Sequence, residues 1–392
     1  MKKTVVMIGS GVVPIPPKRG GATEIIIYEI SRFMPKNKFD VYVLDRKESS
    51  SKEKEIVDGA VYLRYKVPKF GNVFLLRLTE LVFGARAVRE IRKINSKNRC
   101  DIVHAHTVFS ALPIATAKFL LPSGSKLVYT CHNPAWNVPE KEMDLFNGVI
   151  LAIESFVMKR SDFVTTVSDT MRKNIIRRTG MDPRKIQRIY NFVDNRKFSP
   201  KKEEKKGPPK VIFVGKLIPN KGVEYLLRAA SIVRKKHPEV KFLVVGPGSF
   251  EYDAMNRWLE LVKELGLQKN VVFTGGLSEE SLSSAYASSD IFCFPTLRES
   301  FGMVIAEAMS SGLPVITTDM DVLREIVGDN GMLARPKDFK DIAGKVILLL
   351  EDEKTRKKMA QKSLKRSRAF EIKKIMKEYE KMYDRIGAGR LK

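Results

Sequence analysis

Residues 294–319 read FPTLRESFGMVIAEAMSSGLPVITTD. The stretch starts at the end of a short apolar run, SDIFCFP. It then passes through apolar and small residues at helical spacing and closes on a second apolar run, GLPVITTD. Two buried strands joined by a helix lie parallel, because the crossover returns the chain to the end of the sheet it started from. Working outward, the same rhythm recurs at KVIFVGK, VKFLVVG and NVVFTG. It also precedes a charged, proline-containing interruption, FSPKKEEKKGPPK at 198–210, as TVVMIG, FDVYVLD, DIVHAH, KLVYTCH and DFVTTVS. The sequence therefore predicts an α/β protein of two doubly wound domains, 1–198 and 211–369, with a linker at 199–210. In the last segment, 370–392, Ile372, Ile375, Met376, Tyr379, Met382 and Tyr383 recur at helical spacing, which predicts a terminal helix that needs a surface to pack on.

Composition agrees with this reading. The chain has 392 residues, 43% hydrophobic and 30% charged, which excludes disordered and membrane-embedded classes. Its three cysteines, Cys100, Cys131 and Cys293, have no paired spacing; they suggest neither a disulfide framework nor a zinc site and fit a reducing cytoplasm. The N-terminal MKKTVVMIGSGVVP begins like a signal peptide, but its apolar run breaks at Gly9 and Gly11, so it is read as a first strand. The most apolar candidate for a membrane span, VFLLRLTELVF, is interrupted by Arg77 and Glu80.

Lys and Arg number 71 against 45 Asp and Glu, a formal net charge of +26. Residues 1–200 hold 35 of those bases and 19 of the acids. Such a balance suits anionic partners, phosphates first, and equally describes a basic, solvated surface. From Gly71 to Arg99, apolar Phe74, Leu75, Leu78, Leu81, Val82, Val88 and Ile91 interleave with Arg77, Arg86, Arg89, Arg92 and Lys93. That spacing fits a basic amphipathic helix at an anionic membrane surface, and also a crossover helix with a solvated basic face.

Open α/β sheets bind ligands beyond the carboxyl ends of their strands, so the residues after each strand carry the functional reading. The first strand runs into GSGVVPIPPKRGGATE, where Gly20 and Gly21 open a helix whose backbone amides suit a phosphate or a hydroxyl-rich ligand. The loop lacks the third glycine of a dinucleotide fingerprint, and no GxxxxGK[ST] occurs, so neither an NAD enzyme nor a simple P-loop is expected. In VGKLIPNKGVEYLL, Lys216 and Lys221 approach one crevice, and a diphosphate is the natural anion between two ammonium groups. In the opening stretch Glu299 precedes a helix and Glu307 lies within it, on a face shared with Met303, Val304 and Ser311. A carboxylate on so apolar a helix needs hydrogen-bond donors, and ribose hydroxyls would serve. The free amides of Phe301, Gly302 and Met303 could hold phosphate or sugar oxygens.

These residues carry a family resemblance over almost the whole chain. GGAT, DIVHAH at 101–106, YTCHNP around His132, VSDTMRK, IYNFVDNRKF, VGKLIPNKG and RESFGMVIAEAMSSGLPVI occur in an order that resembles the retaining GT-B-fold glycosyltransferases of family 4, the glycosyl transferases group 1. The resemblance implies two facing Rossmann-like domains with the active site in the cleft, and a C-terminal helix returning to the first domain. It implies that Glu307 binds the donor ribose, that Lys216 and Lys221 neutralise the departing diphosphate, and that Glu299 lies by the transferred sugar. The amides of Ser300 to Met303 would meet sugar hydroxyls and phosphate, with Gly20 and Gly21 also on the donor. His132 would stand near the sugar's C6 or the acceptor, and His104 and His106 are weaker candidates. Lys216 replaces the arginine frequent in the family, which keeps the charge and loses the bidentate fork.

The expected activity is transfer of a hexose or N-acetylhexosamine from a nucleoside diphosphate sugar, UDP before GDP, to a glycan or lipid-linked acceptor at the cytoplasmic membrane face. No metal or other cofactor is expected, since two lysines supply the positive charge. Two other functions fit less well. A GT-B-fold sugar-nucleotide epimerase or hydrolase would use the same donor pocket without an acceptor. A nucleic-acid-binding protein would account for the charge, but no module for it is present and no nucleic-acid partner is expected. The sequence gives no oligomeric state.

Overall fold

The computed structural model describes residues 2–17, 21–68, 73–96, 98–200, 207–248 and 254–387. The chain divides into two compact units, Met1–Tyr190 with Lys373–Lys392, and Asn191–Ile372.

The first unit contains strands β1 (Lys3–Ile8), β2 (Phe39–Arg46), β3 (Lys54–Val57), β4 (Ala60–Tyr65), β5 (Ile102–Ala105), β6 (Lys126–Cys131), β7 (Phe163–Thr166) and β8 (Ile186–Arg188). They form one sheet in the order β3-β4-β2-β1-β5-β6-β7-β8. All neighbours are parallel except β3 and β4. The central strands are near-continuous apolar runs because helices cover both faces of a parallel sheet. The β3–β4 hairpin is absent from the expected strands. Its polar alternation, EIVDGAVYLRY, marks a half-exposed edge, and Asp58-Gly59, with φ of 47° and 76°, supplies the left-handed two-residue turn.

The second unit contains β9 (Lys210–Val214), β10 (Lys241–Val245), β11 (Val271–Gly275), β12 (Ile291–Phe294), β13 (Val315–Thr318) and β14 (Gly331–Ala334), ordered β11-β10-β9-β12-β13-β14 and all parallel. Strand order reverses direction beside β9 here and beside β1 in the first unit. Each reversal opens a crevice beyond the strand ends, at β9/β12 and at β1/β5.

The terminal helix runs from Ile372 to Gly387 and buries Ile375, Tyr379, Tyr383 and Ile386. From Lys373 onward it belongs to the first unit, where Tyr383 Oη lies 2.7 Å from His104 Nδ1 and Asp384 pairs with Lys3 at 2.8 Å. The unit boundary falls after Tyr190, earlier than the expected 198. Residues 191–200 are bound into the second unit: Val193 N donates to Phe370 O at 2.8 Å, Lys197 pairs with Glu279 at 2.9 Å, and Ser310 Oγ donates to Phe198 O at 2.5 Å. Of the expected linker at 199–210, residues 201–206 lie outside the described residues. No helix among the described residues is long and apolar enough to cross a membrane.

Candidate active site

In the second unit two loops leave the β9/β12 switch point, and backbone geometry holds them together. Gly222 has φ of 78°, and a Cβ there would lie 1.9 Å from Pro295 O, so only glycine lets the Pro219–Lys221 turn lie against the β12 loop. Asn220 O accepts from Leu297 N at 2.8 Å and from Thr296 Oγ1 at 3.2 Å. These contacts bring the two loops' charged side chains together: Lys221 Nζ donates to Glu299 Oε1 in a partly buried ion pair, 5.6 Å from the centre of the Phe294 ring. Lys216, at the exit of β9, is exposed and makes no ion pair among the described residues. The approach of two lysines expected from the sequence is thus a lysine–glutamate pair with a second lysine in solvent. An arriving diphosphate would compete with Glu299 for Lys221.

The β12 loop feeds the helix Met303–Ser310. Its cap, Gly302, is left-handed (φ 86°) and no side chain among the described residues caps the helix, a start whose first amides suit a ligand's oxygens, while Ile305 N already donates to Gly302 O at 2.9 Å. The Phe301 ring is fully buried and packs edge-on against Phe370 at 5.2 Å, which anchors the loop and leaves only its backbone for recognition. Further along, Glu307 Oε2 accepts from Tyr286 Oη at 2.9 Å. Burial pushes the Glu307 carboxyl up to about 7, and the Tyr286 hydrogen bond partly offsets that rise. A carboxyl so placed gains from ligand hydroxyls that satisfy its ionised form.

In the first unit Gly20 lies outside the described residues. Gly21 is the left-handed cap (φ 81°) of the helix Ala22–Phe33, again without a side-chain cap. The preceding loop is tied down by Ser10 Oγ donating to Glu24 Oε1 at 2.7 Å and Ile15 N donating to Asp45 Oδ2 at 3.2 Å. His132 follows β6 with its Nε2 3.3 Å from His106 Nδ1, and burial lowers its pKa to about 4, so it is neutral near pH 7. His104 is a satisfied core histidine, with Thr130 Oγ1 at 2.6 Å from its Nε2 and Tyr383 at its Nδ1. Both ring nitrogens are occupied, which removes His104 as a ligand contact. His106 is buried and its Nε2 has no hydrogen-bond partner among the described residues.

Sequence reasoning missed three supporting residues. Tyr286 carries no sequence signal, since its partner is known only after folding. Asn220 acts through its backbone. Glu154 was legible by the criterion that found Glu307, a lone carboxylate on the apolar helix Leu145–Arg160. It accepts from Trp136 Nε1 at 2.8 Å, Asn133 Nδ2 at 3.0 Å and Tyr129 Oη at 2.5 Å, and so fixes the loop that follows His132.

Comparison with known proteins places both units. Residues 20–197 match the model described as Glycosyltransferase Family 4, and residues 194–366 match Glycosyl transferases group 1. The sulfoquinovosyl transferase SQD2 of Arabidopsis thaliana is 29% identical over 295 residues, 70% of this chain and 54% of that protein, so the chain spans about half of that relative. The phosphatidyl-myo-inositol mannosyltransferase of Mycolicibacterium smegmatis is 26% identical over 332 residues, 82% of this chain and 80% of the relative. Among solved structures, Anabaena HepE in complex with UDP and glucose superposes with a TM-score of 0.78 at 20% identity, covering 97% of this chain and 99% of that one.

Proposed function

The chain belongs to glycosyltransferase family 4 and has the GT-B fold, and from that premise we propose that it moves a hexose or N-acetylhexosamine from a nucleoside diphosphate sugar to a glycan or lipid-linked acceptor, with retention of anomeric configuration and no metal. The observation that carries this reading is the joined loop pair of the second unit, which sets Lys221 and Glu299 beside an uncapped helix start and places Glu307 within that helix.

In this reading Glu307 accepts the ribose hydroxyls. The amides of Ser300 to Met303 and the ammonium groups of Lys216 and Lys221 hold the diphosphate and stabilise the charge that develops on it as the sugar–phosphate bond breaks. Glu299, released from Lys221 by the incoming phosphate, turns to the sugar hydroxyls as a positioning group. The acceptor oxygen forms the new bond to C1 on the face the diphosphate leaves, and its proton passes to the departing phosphate oxygen. Gly20 and Gly21 contribute amides beyond β1. His132, neutral near pH 7, contacts the sugar's C6 side or the acceptor by hydrogen bonding rather than charge. UDP is favoured because the HepE structure carries UDP. A lipid-linked acceptor at the cytoplasmic face of an anionic membrane is favoured by the name of the mycobacterial relative and by the surplus of basic residues in the first half.

The test is a thermal-shift panel of UDP, GDP, ADP and dTDP sugars, with and without chelator, on the wild type, Glu307→Ala and Lys221→Ala. One nucleotide class should raise the melting temperature of the wild type alone, indifferent to chelator. A shift that survives both substitutions would place the donor elsewhere. Free sugar or an epimer formed from the bound donor, in place of a glycoside, would overturn transfer.

A further inference from the structure

The first unit carries an apolar seam that its own fold does not cover. On the helix Leu145–Arg160 the inward face buries Leu151, Glu154, Val157 and Met158. The outward face carries Leu145, Val149, Ala152 and Phe156, all exposed, at spacings of four, three and four residues. That is the period of a helix packed along one other helix, whereas an ordinary surface helix would place polar residues there. Leu145 is 85% exposed and Val149 52%. Between them, Gly148 has nothing within 4 Å of an added Cβ, which leaves room for a second backbone to come close at the middle of the seam.

Charge changes sign along this helix. At its start the turn Glu140–Glu142 and the cap residue Asp144 bring three exposed acids, with Lys141 beside them. Glu140 is engaged by Arg177 and Arg178 at 3.4 Å, and Asp144 accepts from Asn147 N at 2.8 Å. Glu142 forms no ion pair among the described residues. At the other end Lys159 and Arg160 are exposed and likewise form no ion pair among the described residues, while the neighbouring Lys118 is matched by Asp162 at 2.9 Å. A seam that is acidic at one end and basic at the other is complementary to itself when a second copy lies antiparallel. An anionic bilayer would instead hold Glu142 and Asp144 against its own charge.

We propose that this seam is a two-fold interface between two copies of the chain, with the helices antiparallel and the axis passing between Ile150 and Leu151. In that register Leu145 packs on the partner's Phe156, Val149 on the partner's Ala152, and Glu142 faces the partner's Lys159, each contact occurring twice. Phe119, 80% exposed on the turn that Lys118 ties to Arg160, stands at the basic end, where the partner's Phe146 arrives. A single helix pair buries less than the roughly 800 Å2 per partner of a standard interface, so the expected dimer is a dissociable one, on the order of micromolar. The inference goes beyond the proposed reaction and does not rest on the donor site.

The experiment is sedimentation velocity of the full chain over a concentration series, with co-sedimentation on phosphatidylcholine vesicles beside it. Wild type should pass from monomer to dimer as concentration rises. Phe156→Ser removes an apolar contact that symmetry counts twice, so it should raise the dissociation constant about a hundredfold, roughly tenfold for each copy. Its melting temperature should hold, because the ring is already 44% exposed in the single chain. Glu142→Lys should weaken the dimer about tenfold, and Glu142→Lys/Lys159→Glu should restore it, a rescue that only a contact between these two positions gives. Ala152→Cys should yield a covalent dimer with a short bismaleimide where wild type does not, since Cys100, Cys131 and Cys293 are buried. A wild type that stays monomeric up to about 1 mM, a dimer of full strength in Phe156→Ser, a reversed pair that fails to restore it, or a monomer that binds vesicles through Phe156 would each overturn the proposal.

Discussion

At the scale of single residues, the proposed donor pocket is set by where charge is tolerated. Glu307 is the clearest case: burial raises its carboxyl to about 7, so near pH 6 the free enzyme holds it mostly protonated. Ligand hydroxyls that donate to it favour the ionised form, so binding must expel the proton. Donor affinity should therefore rise as pH increases through about 7 and level off above it, and calorimetry in buffers of different ionisation enthalpy should register proton release near pH 6.5. In Glu307→Gln the release and the pH dependence should both vanish. A pH-independent affinity in wild type would show that the carboxyl does not meet the ligand. For stability the sign is opposite: the folded pKa lies above the unfolded value near 4.5, so this group favours folding most at low pH, and its contribution falls as pH rises toward 7. Lys221 is placed by its ion pair with Glu299. Its carboxylate partner holds it until a diphosphate arrives, and Lys221→Met should remove that ion pair and weaken donor binding by roughly tenfold or more, the worth of one charge-assisted contact.

At the scale of elements, the site depends on two loops placed by backbone rather than by side chains. Gly222→Ala adds a methyl into Pro295 O and holds an L-residue at φ 78°, so it should cost more than the roughly 1–3 kcal/mol of the backbone strain alone and also loosen donor binding. Gly180→Ala is the matched control, because Gly180 has φ of 64° but nothing within 4 Å of its added Cβ, so only the strain remains. Urea midpoints for the two variants should separate clearly, and equal midpoints would show that the β12 loop can move aside. The first unit has its own version in Glu154. Truncation to Ala would leave the buried Trp136 and Tyr129 donors unmet, at roughly 1–3 kcal/mol for each unsatisfied group. Much of this was legible in the sequence: the Gly-Lys loop, the paired glutamates and the alternating strands all follow from residue type and spacing. The β3–β4 hairpin was not, because its alternation is that of an edge strand rather than a buried parallel one. Nor was the Lys221–Glu299 pair, since 78 residues separate the two and only the shared switch point makes them neighbours.

At the scale of the whole molecule, the terminal helix shows what periodicity can and cannot tell. Its apolar spacing announces a docking face, but the surface it covers is fixed by polar chemistry far away in the chain. Tyr383 Oη meets His104 Nδ1 at 2.7 Å, His104 Nε2 meets Thr130 Oγ1 at 2.6 Å, and Thr130 Oγ1 meets Thr165 Oγ1 at 2.6 Å. This buried hydrogen-bond chain runs from the end of the sequence through β5, β6 and β7. Every member is fully or almost fully buried, so a partner removed from one end leaves an unmet polar atom in the core. Tyr383→Phe keeps the ring and its packing and removes one hydroxyl. It should cost roughly 1–3 kcal/mol, and hydrogen exchange should show where: protection should fall in the terminal helix and in β5 to β7, while β9 to β14 exchange as in wild type. His104→Ala should destabilise the same elements, and the double variant should lose less than the two single losses combined, since both act on one contact. Uniform loss of protection in both sheets would mean that the two units unfold as one, whereas additive losses would mean that the helix docks through its apolar face alone.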